Sequence, residues 1–128
     1  MIDCRVDPKL RFFETARNVS RHSDCKIKVG CIITKGNHPI SVGFNRLKFN
    51  KIWSNPWRKT LHAEAQALRT SGRDYIKNGT AYVYRERHDG SIGLAKPCPD
   101  CMTKLIRKGI RTIYFSTTLY PYWEKIEI

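Results

Sequence analysis

"KPCPDCMTKLIRKGIRTIYFS" spans residues 96–116 and contains two prolines, two cysteines, a glycine and a run of β-branched and aromatic residues. Proline is favoured at the start of a helix and glycine just past its end, so Pro97 and Gly109 are predicted to bound a short helix. Leu105 and Ile106 are predicted to lie toward its inner face. The run after Gly109 is typical of a buried strand. A helix leading straight into a strand indicates an α/β fold.

The rest of the chain continues this alternation of helices and strands. The predicted elements are a helix at about 8–21, a hairpin of Lys26–Thr34 with Ile40–Asn45, a helix at 61–71 capped by Thr60 and ended by Gly72, and strands at 80–86, 110–116 and 122–128. Helices that alternate with strands after an initial hairpin predict a three-layer α/β/α fold with a mixed sheet of about five strands.

Length and hydropathy indicate a single domain. With 128 residues and 41% hydrophobic content, the chain can build one core but not two. No apolar run approaches the roughly 20 residues of a membrane span, and the N-terminal stretch is charged. We therefore expect one domain over residues 1–128, soluble and cytoplasmic, with no membrane partner.

The charge is strongly positive. The chain has 24 Lys and Arg against 11 Asp and Glu, a net charge of +13. An excess of this size on a small domain indicates a polyanion or a phosphorylated ligand as partner. The alternative is a solvated basic surface that binds nothing.

Cys98 and Cys101 stand three positions apart in the predicted first turn of a helix, where their side chains share one side. The helix dipole and free backbone N–H groups there favour thiolates. Such a pair can be a redox couple, half of a structural zinc site or two buried thiols. Five cysteines without a secretory signal do not favour a disulfide framework.

A histidine and a glutamate at the start of the preceding helix favour zinc. The helices of His62 and of the two cysteines can begin at the same edge of the sheet, which brings the imidazole beside the two sulfurs. One imidazole with two thiolates makes three good zinc ligands. Three protein ligands leave one coordination position open, where zinc lowers the pKa of water from about 15.7 to near 7. Glu64, two residues after the histidine, can then move protons. We predict that Cys31 is a core residue, although a fourth cysteine ligand (Cys4, Cys25 or Cys31) would close the site.

The pair "HAEAQAL" and "KPCPDC" resembles the cytidine deaminase superfamily, in the branch of small enzymes similar to deoxycytidylate deaminases. The resemblance implies a cytidine deaminase-like fold, one zinc ion on His62, Cys98 and Cys101, and Glu64 as proton shuttle. It also implies hydrolytic conversion of cytosine to uracil and, as in many such enzymes, a homo-oligomer.

The resemblance extends to substrate-binding positions. Asn45 at the end of the second strand, the backbone N–H of Ala63 and the carbonyl near Lys96 are implied to hold the base and sugar. The sequence departs from the family pattern in two places. The polar insert "RERHDGSIGLAK" at 85–96 is longer than a minimal hairpin, and the short C-terminal segment favours a closing antiparallel hairpin over a terminal helix.

The sequence does not decide between a nucleotide and a single-stranded nucleic acid as substrate. Trp53 and Trp57 lie in a basic loop before the histidine helix, where they could stack bases of a single strand or tie the loop to the core. The candidate functions are deamination of a cytosine nucleotide such as deoxycytidine monophosphate (dCMP), deamination of cytosine or adenine in single-stranded nucleic acid, and a nonenzymatic zinc-containing nucleic-acid-binding domain. Glu64 argues against the last, since a structural zinc site needs no unligated carboxylate.

Overall fold

The computed structural model describes residues 10–47 and 60–128 of the chain. The elements in chain order are α1 (Leu10–Ser20), β1 (Lys28–Lys35), β2 (His38–Phe44), β3 (Arg46–Leu47), β4 (Thr60–Leu61), α2 (Ala63–Thr70), β5 (Gly79–Glu86), β6 (Ile92–Gly93), α3 (Pro99–Arg107), β7 (Ile110–Ser116) and β8 (Trp123–Glu127).

Six of the strands form one mixed sheet. The order is β2-β1-β5-β7-β8, with β6 paired to β5, and β5 runs parallel to β7 while the other pairs are antiparallel. The predicted mixed sheet and the closing β7–β8 hairpin are confirmed, and β6, inside the polar insert, is the strand beyond the five expected. None of the described helices has the length and apolar character needed to cross a membrane.

Alternating side chains of the strands build two cores. On one face, α1 places Phe12 and Phe13 against Tyr82 and Tyr114 of the sheet. The opposite face packs against α2 and α3, and its buried members include Cys31, Ile33, Ala67, Val83, Leu105 and Phe115. Because neighbouring strand residues point to opposite faces, β5 contributes Tyr82 to the first core and Val83 to the second. The result is the predicted α/β/α layering.

Gly43 on β2 lets α2 lie directly on the sheet. A Cβ atom at this position would meet the carbonyl oxygen of Ala63 and lie 2.5 Å from the backbone nitrogen of Ala67. Both are backbone atoms of a helix, which cannot rotate out of the way as a side chain can. The glycine therefore sets the distance at which α2 and its first turn approach the strands.

We expect Gly43→Ala to destabilise the protein by about 2 kcal/mol or more, because the added methyl group overpacks a site bounded by backbone. Denaturant unfolding measures the change. Val42→Ala on the same strand is the control, since Val42 is 43% exposed and its truncation should cost much less. Equal unfolding midpoints for Gly43→Ala and the wild type would contradict the prediction.

Three local predictions about helix ends and faces are wrong. Thr60 pairs with Leu47 in the small β3–β4 sheet, and the N-cap of α2 is His62. Helix α3 begins at Pro99, not Pro97, because the residue before a proline disfavours the helical conformation and Cys98 is accordingly extended. Ile106 is 44% exposed, since each helical step turns the side chain by about 100° away from its buried neighbour Leu105.

Candidate active site

The side chains of His62, Cys98 and Cys101 converge at the N-termini of two helices. Nδ1 of His62 lies 3.2 Å from Sγ of Cys101 and 3.7 Å from Sγ of Cys98. The three ligand atoms all lie within 4.8 Å of one another. In the described part of the chain, no further His, Cys, Asp or Glu joins this metal-ligand group. Neither Cys25 nor Cys31 therefore supplies a fourth ligand here, and Cys4 lies outside the described residues.

The helix starts explain the convergence. His62 and Cys98 are the N-cap residues of α2 and α3, and both have an extended backbone. The two helices contact each other on the same face of the sheet. The first N–H groups of a helix lack intrahelical acceptors, so both N-termini favour negative charge at the cluster.

The chemistry of these donors fits zinc. One imidazole nitrogen and two thiol sulfurs are the N/S set that zinc prefers, and their spacing is close to the roughly 3.6 Å between neighbouring donors in a tetrahedral zinc site. Burial raises the pKa of the Cys101 thiol strongly, and the nearby Glu64 carboxylate raises it further. A divalent cation would reverse this by favouring the thiolates.

Glu64 lies beside the cluster in the first turn of α2. Its side chain is only 5% exposed and interacts with Cys101. Burial raises the pKa of its carboxyl group, although the interactions with Cys101 and His62 partly offset this. A carboxyl group with a raised pKa is suited to take up and release protons near neutral pH.

A cavity of about 770 Å³ opens onto the cluster. It is lined by Asp24, Cys25, Lys26, Ile27, Val29, Asn45, His62, Ala63, Glu64, Arg85, Leu94, Ala95, Lys96 and Cys98. The structure thus brings Asn45, Ala63 and Lys96, predicted from the sequence to meet the substrate, to one cavity with the cluster. Trp53 and Trp57 lie outside the described residues. Cys31 is fully buried in the core, as predicted.

Asn45 already uses both ends of its side-chain amide. Its Oδ1 accepts a hydrogen bond from the backbone N–H of Val29, and its Nδ2 donates one to the carbonyl of Ile27, both at 2.8 Å. It therefore holds the segment that forms one wall of the cavity. An amide nitrogen has two protons, so one Nδ2 proton remains for a ligand.

The cavity is also lined by four residues that were not predicted to meet a substrate: Lys26, Ile27, Arg85 and Leu94. The sequence does indicate the face of the sheet on which Arg85 lies. In β5, Ala81, Val83 and Arg85 share one face because strand residues alternate, so a charged residue follows two core positions. Leu94 belongs to the polar insert, whose pairing with β5 was not predicted.

The fold and the cluster together define an α/β protein with a zinc-type ligand set beside a buried carboxyl group. Residues 7–117 match the family model of the cytidine and deoxycytidylate deaminase zinc-binding region. The chain therefore belongs to this family and is a zinc-dependent deaminase, which confirms the resemblance noted from the sequence.

Two curated relatives agree with this membership. An uncharacterized deaminase in the luxG 3′ region of Aliivibrio fischeri is 34% identical over 112 residues, covering 81% of this chain and 69% of the relative. The deoxycytidylate deaminase of Schizosaccharomyces pombe is 26% identical over 125 residues, covering 84% of this chain. The match spans only 36% of the yeast protein's length.

Solved structures show the same fold. The dCMP deaminase of the cyanophage S-TIM5 in apo form superposes with a TM-score of 0.66 and 25% identity, covering 87% of this chain and 83% of that one. The cytidine deaminase of Burkholderia pseudomallei gives a TM-score of 0.66 at 18% identity, covering 92% and 91% of the two chains. The cytidine deaminase-like fold is thereby confirmed.

Proposed function

We propose that this protein converts cytosine to uracil in a phosphate-bearing nucleotide of the deoxycytidylate type. The observation that carries the proposal is the cavity, which combines the ligand cluster and Glu64 with the cationic side chains of Lys26, Arg85 and Lys96. Cations beside a deaminase centre favour a substrate with phosphate. Two of the similar proteins, from the cyanophage and from S. pombe, are deoxycytidylate deaminases.

In this proposal His62, Cys98 and Cys101 hold one zinc ion. When bound, the ion supplies Lewis-acid activation of water. The sulfurs must lose their protons to bind it, and the helix N-termini around them stabilise the resulting negative charge. Residues 1–128 belong to a single deaminase domain in this proposal, and assembly into homo-oligomers stays a prediction.

Glu64 moves the protons of the reaction. It takes a proton from water as the water oxygen forms a bond to C4 of cytosine, and it gives this proton to the ring nitrogen. The hydroxyl group now on C4 then gives up its proton, and Glu64 passes this proton to the amino group. The bond from C4 to the amino nitrogen breaks, the C4 carbonyl forms, and ammonia leaves. Cytosine and water become uracil and ammonia, with no change in oxidation state.

The walls of the cavity suit a flat polar base. Ile27 and Leu94 are 39% and 51% exposed and line the cavity, so they offer apolar surface for the faces of a ring. The free Nδ2 proton of Asn45 and the N–H of Ala63, the first residue of α2, are donors for the edge of the base and for the sugar. These contacts would orient C4 toward Glu64.

The hypothesis of a single-stranded nucleic acid substrate rested on the net charge of +13 and on Trp53 and Trp57, and these two residues lie outside the described part of the chain. No contact among residues 10–47 and 60–128 favours that substrate over a nucleotide, or adenine over cytosine. Both alternatives are therefore outcomes of the substrate test below.

We expect kcat/KM for dCMP to exceed that for deoxycytidine by about tenfold or more, because a charge-assisted phosphate contact contributes about that much. The measurement is a mass-resolved assay of the zinc-loaded protein with dCMP, deoxycytidine, cytosine, deoxyadenosine monophosphate and a cytosine-containing oligonucleotide. Raising the salt concentration should weaken activity on dCMP only mildly, since one phosphate is involved. Faster turnover of the oligonucleotide with steep salt dependence, or of the adenine nucleotide, would contradict the proposal.

A further inference from the structure

Arg85 is a charged residue on the core-facing side of the sheet. Ala81 and Val83 precede it on the same side of β5 and are 0% and 1% exposed. With a side-chain period of two, Arg85 continues this series, but it reaches the cavity where the core ends. The residue is half-buried there, while the contact of its Nη1 atom is exposed to solvent.

The insert hairpin holds the side chain of Arg85 in place. Arg85 pairs directly with Gly93 on β6, and a Cβ atom at Gly93 would lie 3.0 Å from Cγ and 3.2 Å from Cδ of Arg85. The absence of a side chain at position 93 thus leaves room for the arginine stem. Nη1 of Arg85 donates a long hydrogen bond, 3.4 Å, to the carbonyl of Leu94.

The backbone beneath Arg85 is also fixed. Its N–H donates to Oγ of Ser116 at 3.0 Å, and the same hydroxyl donates to the carbonyl of Gly93 at 2.8 Å. Ser116 is fully buried. One hydroxyl therefore joins β5, β6 and β7 at the point where the arginine leaves the sheet.

The guanidinium has unused donors. A guanidinium carries five N–H donors, and the Leu94 carbonyl takes one of them. Among the residues that the structure describes, Arg85 forms no ion pair. Its remaining N–H groups can form the paired hydrogen bonds that suit phosphate.

The sheet register places Arg85 beside the substrate positions. Arg85 pairs with Val29 on β1, and the N–H of Val29 donates to Oδ1 of Asn45. Strand β1 therefore lies between Arg85 and Asn45, so two strand spacings, about 10 Å, separate them along the cavity that Glu64 also lines. If the base of a nucleotide lies at Glu64 and its sugar near Asn45, its phosphate can reach this wall.

We propose that Arg85 binds the phosphate of the substrate and sets the preference for a nucleotide over a nucleoside. The inference rests on the proposed function and adds the residue that determines this specificity. Arg85 lies at the start of the polar insert, so the longer hairpin serves to position a phosphate-binding side chain.

The test compares Arg85→Ala with Arg87→Ala. Arg87 lies on the same hairpin and also packs near Gly93, but it is exposed and does not line the cavity. We expect Arg85→Ala to lower the dCMP-to-deoxycytidine ratio of kcat/KM by about 10- to 100-fold, as expected for loss of a charged hydrogen bond. The affinity for the product nucleotide deoxyuridine monophosphate, measured calorimetrically, should fall by a similar factor. Arg87→Ala should keep both wild-type values.

Arg85→Lys is a second variant in case Arg85→Ala does not fold. Lysine retains the aliphatic chain and the positive charge but lacks the planar guanidinium that forms two parallel hydrogen bonds to phosphate. We expect it to lower the same ratio by about five- to tenfold. A wild-type ratio in both Arg85→Ala and Arg85→Lys, while the wild type prefers dCMP, would overturn the inference and leave the proposed function standing. A wild type without preference for dCMP would overturn both.

Discussion

Glu64→Gln should lower kcat/KM for cytosine deamination by about a thousandfold or more while leaving about one zinc ion per chain. The amide keeps the size of the carboxyl group and its position in the first turn of α2, but it cannot accept and return a proton. General acid–base groups contribute about 10²- to 10⁴-fold to a rate, and here one group serves more than one transfer. Release of ammonia and the zinc content of the same preparation provide the two measurements.

The structure predicts that this variant folds normally. Glu64 is buried, and burial raises the pKa of its carboxyl group, so removing the ionisable group eliminates a charge that the interior disfavours. The unfolding midpoint of Glu64→Gln should accordingly not fall below that of the wild type.

A matched control separates proton transfer from a general effect of lost charge. Glu86→Gln alters a half-buried carboxylate on β5 that does not line the cavity. It should retain activity within about threefold. Activity of zinc-loaded Glu64→Gln within tenfold of the wild type would exclude the proton-transfer role.

The metal-binding part of the site could be predicted because its residues are close in sequence to recognisable helix starts. His62, Cys98 and Cys101 each stand at or just inside the N-terminus of a helix, and the N/S donor set limits the choice of metal. Only their convergence depends on the tertiary fold, and the α/β alternation was sufficient to predict it.

The wall of the cavity that contains Arg85 could not be predicted in the same way. Arg85 reaches the cavity because β5 has a particular register with β1 and because β6 folds back beside it. Neither pairing follows from the local sequence, in which "RERHDGSIGLAK" shows only a turn signal. The position of Thr60 was wrong for a related reason, since its pairing in β4 overrode its tendency to cap a helix.

Cys101→Ala should reduce the zinc content from about one ion per chain to nearly none and abolish deamination. Cys101 is 2% exposed, and its sulfur lies 3.2 Å from Nδ1 of His62, so no other described side chain can take its place in the cluster. Two remaining ligands bind zinc far more weakly than three, and the electrostatic gain that offsets the burial of a thiolate is lost. Metal analysis after dialysis measures the first effect, and release of ammonia measures the second.

Cys31→Ala is the matched control, because it also removes a buried thiol on the same face of the sheet. Cys31 belongs to the core and not to the cluster, so this variant should keep its zinc and lose about 1 kcal/mol of stability to the small cavity left behind. The two cysteine variants should thus separate metal loss from core damage. Full zinc and full activity in Cys101→Ala, or loss of zinc in Cys31→Ala with zinc retained in Cys101→Ala, would show that the ion is held by a different set of side chains.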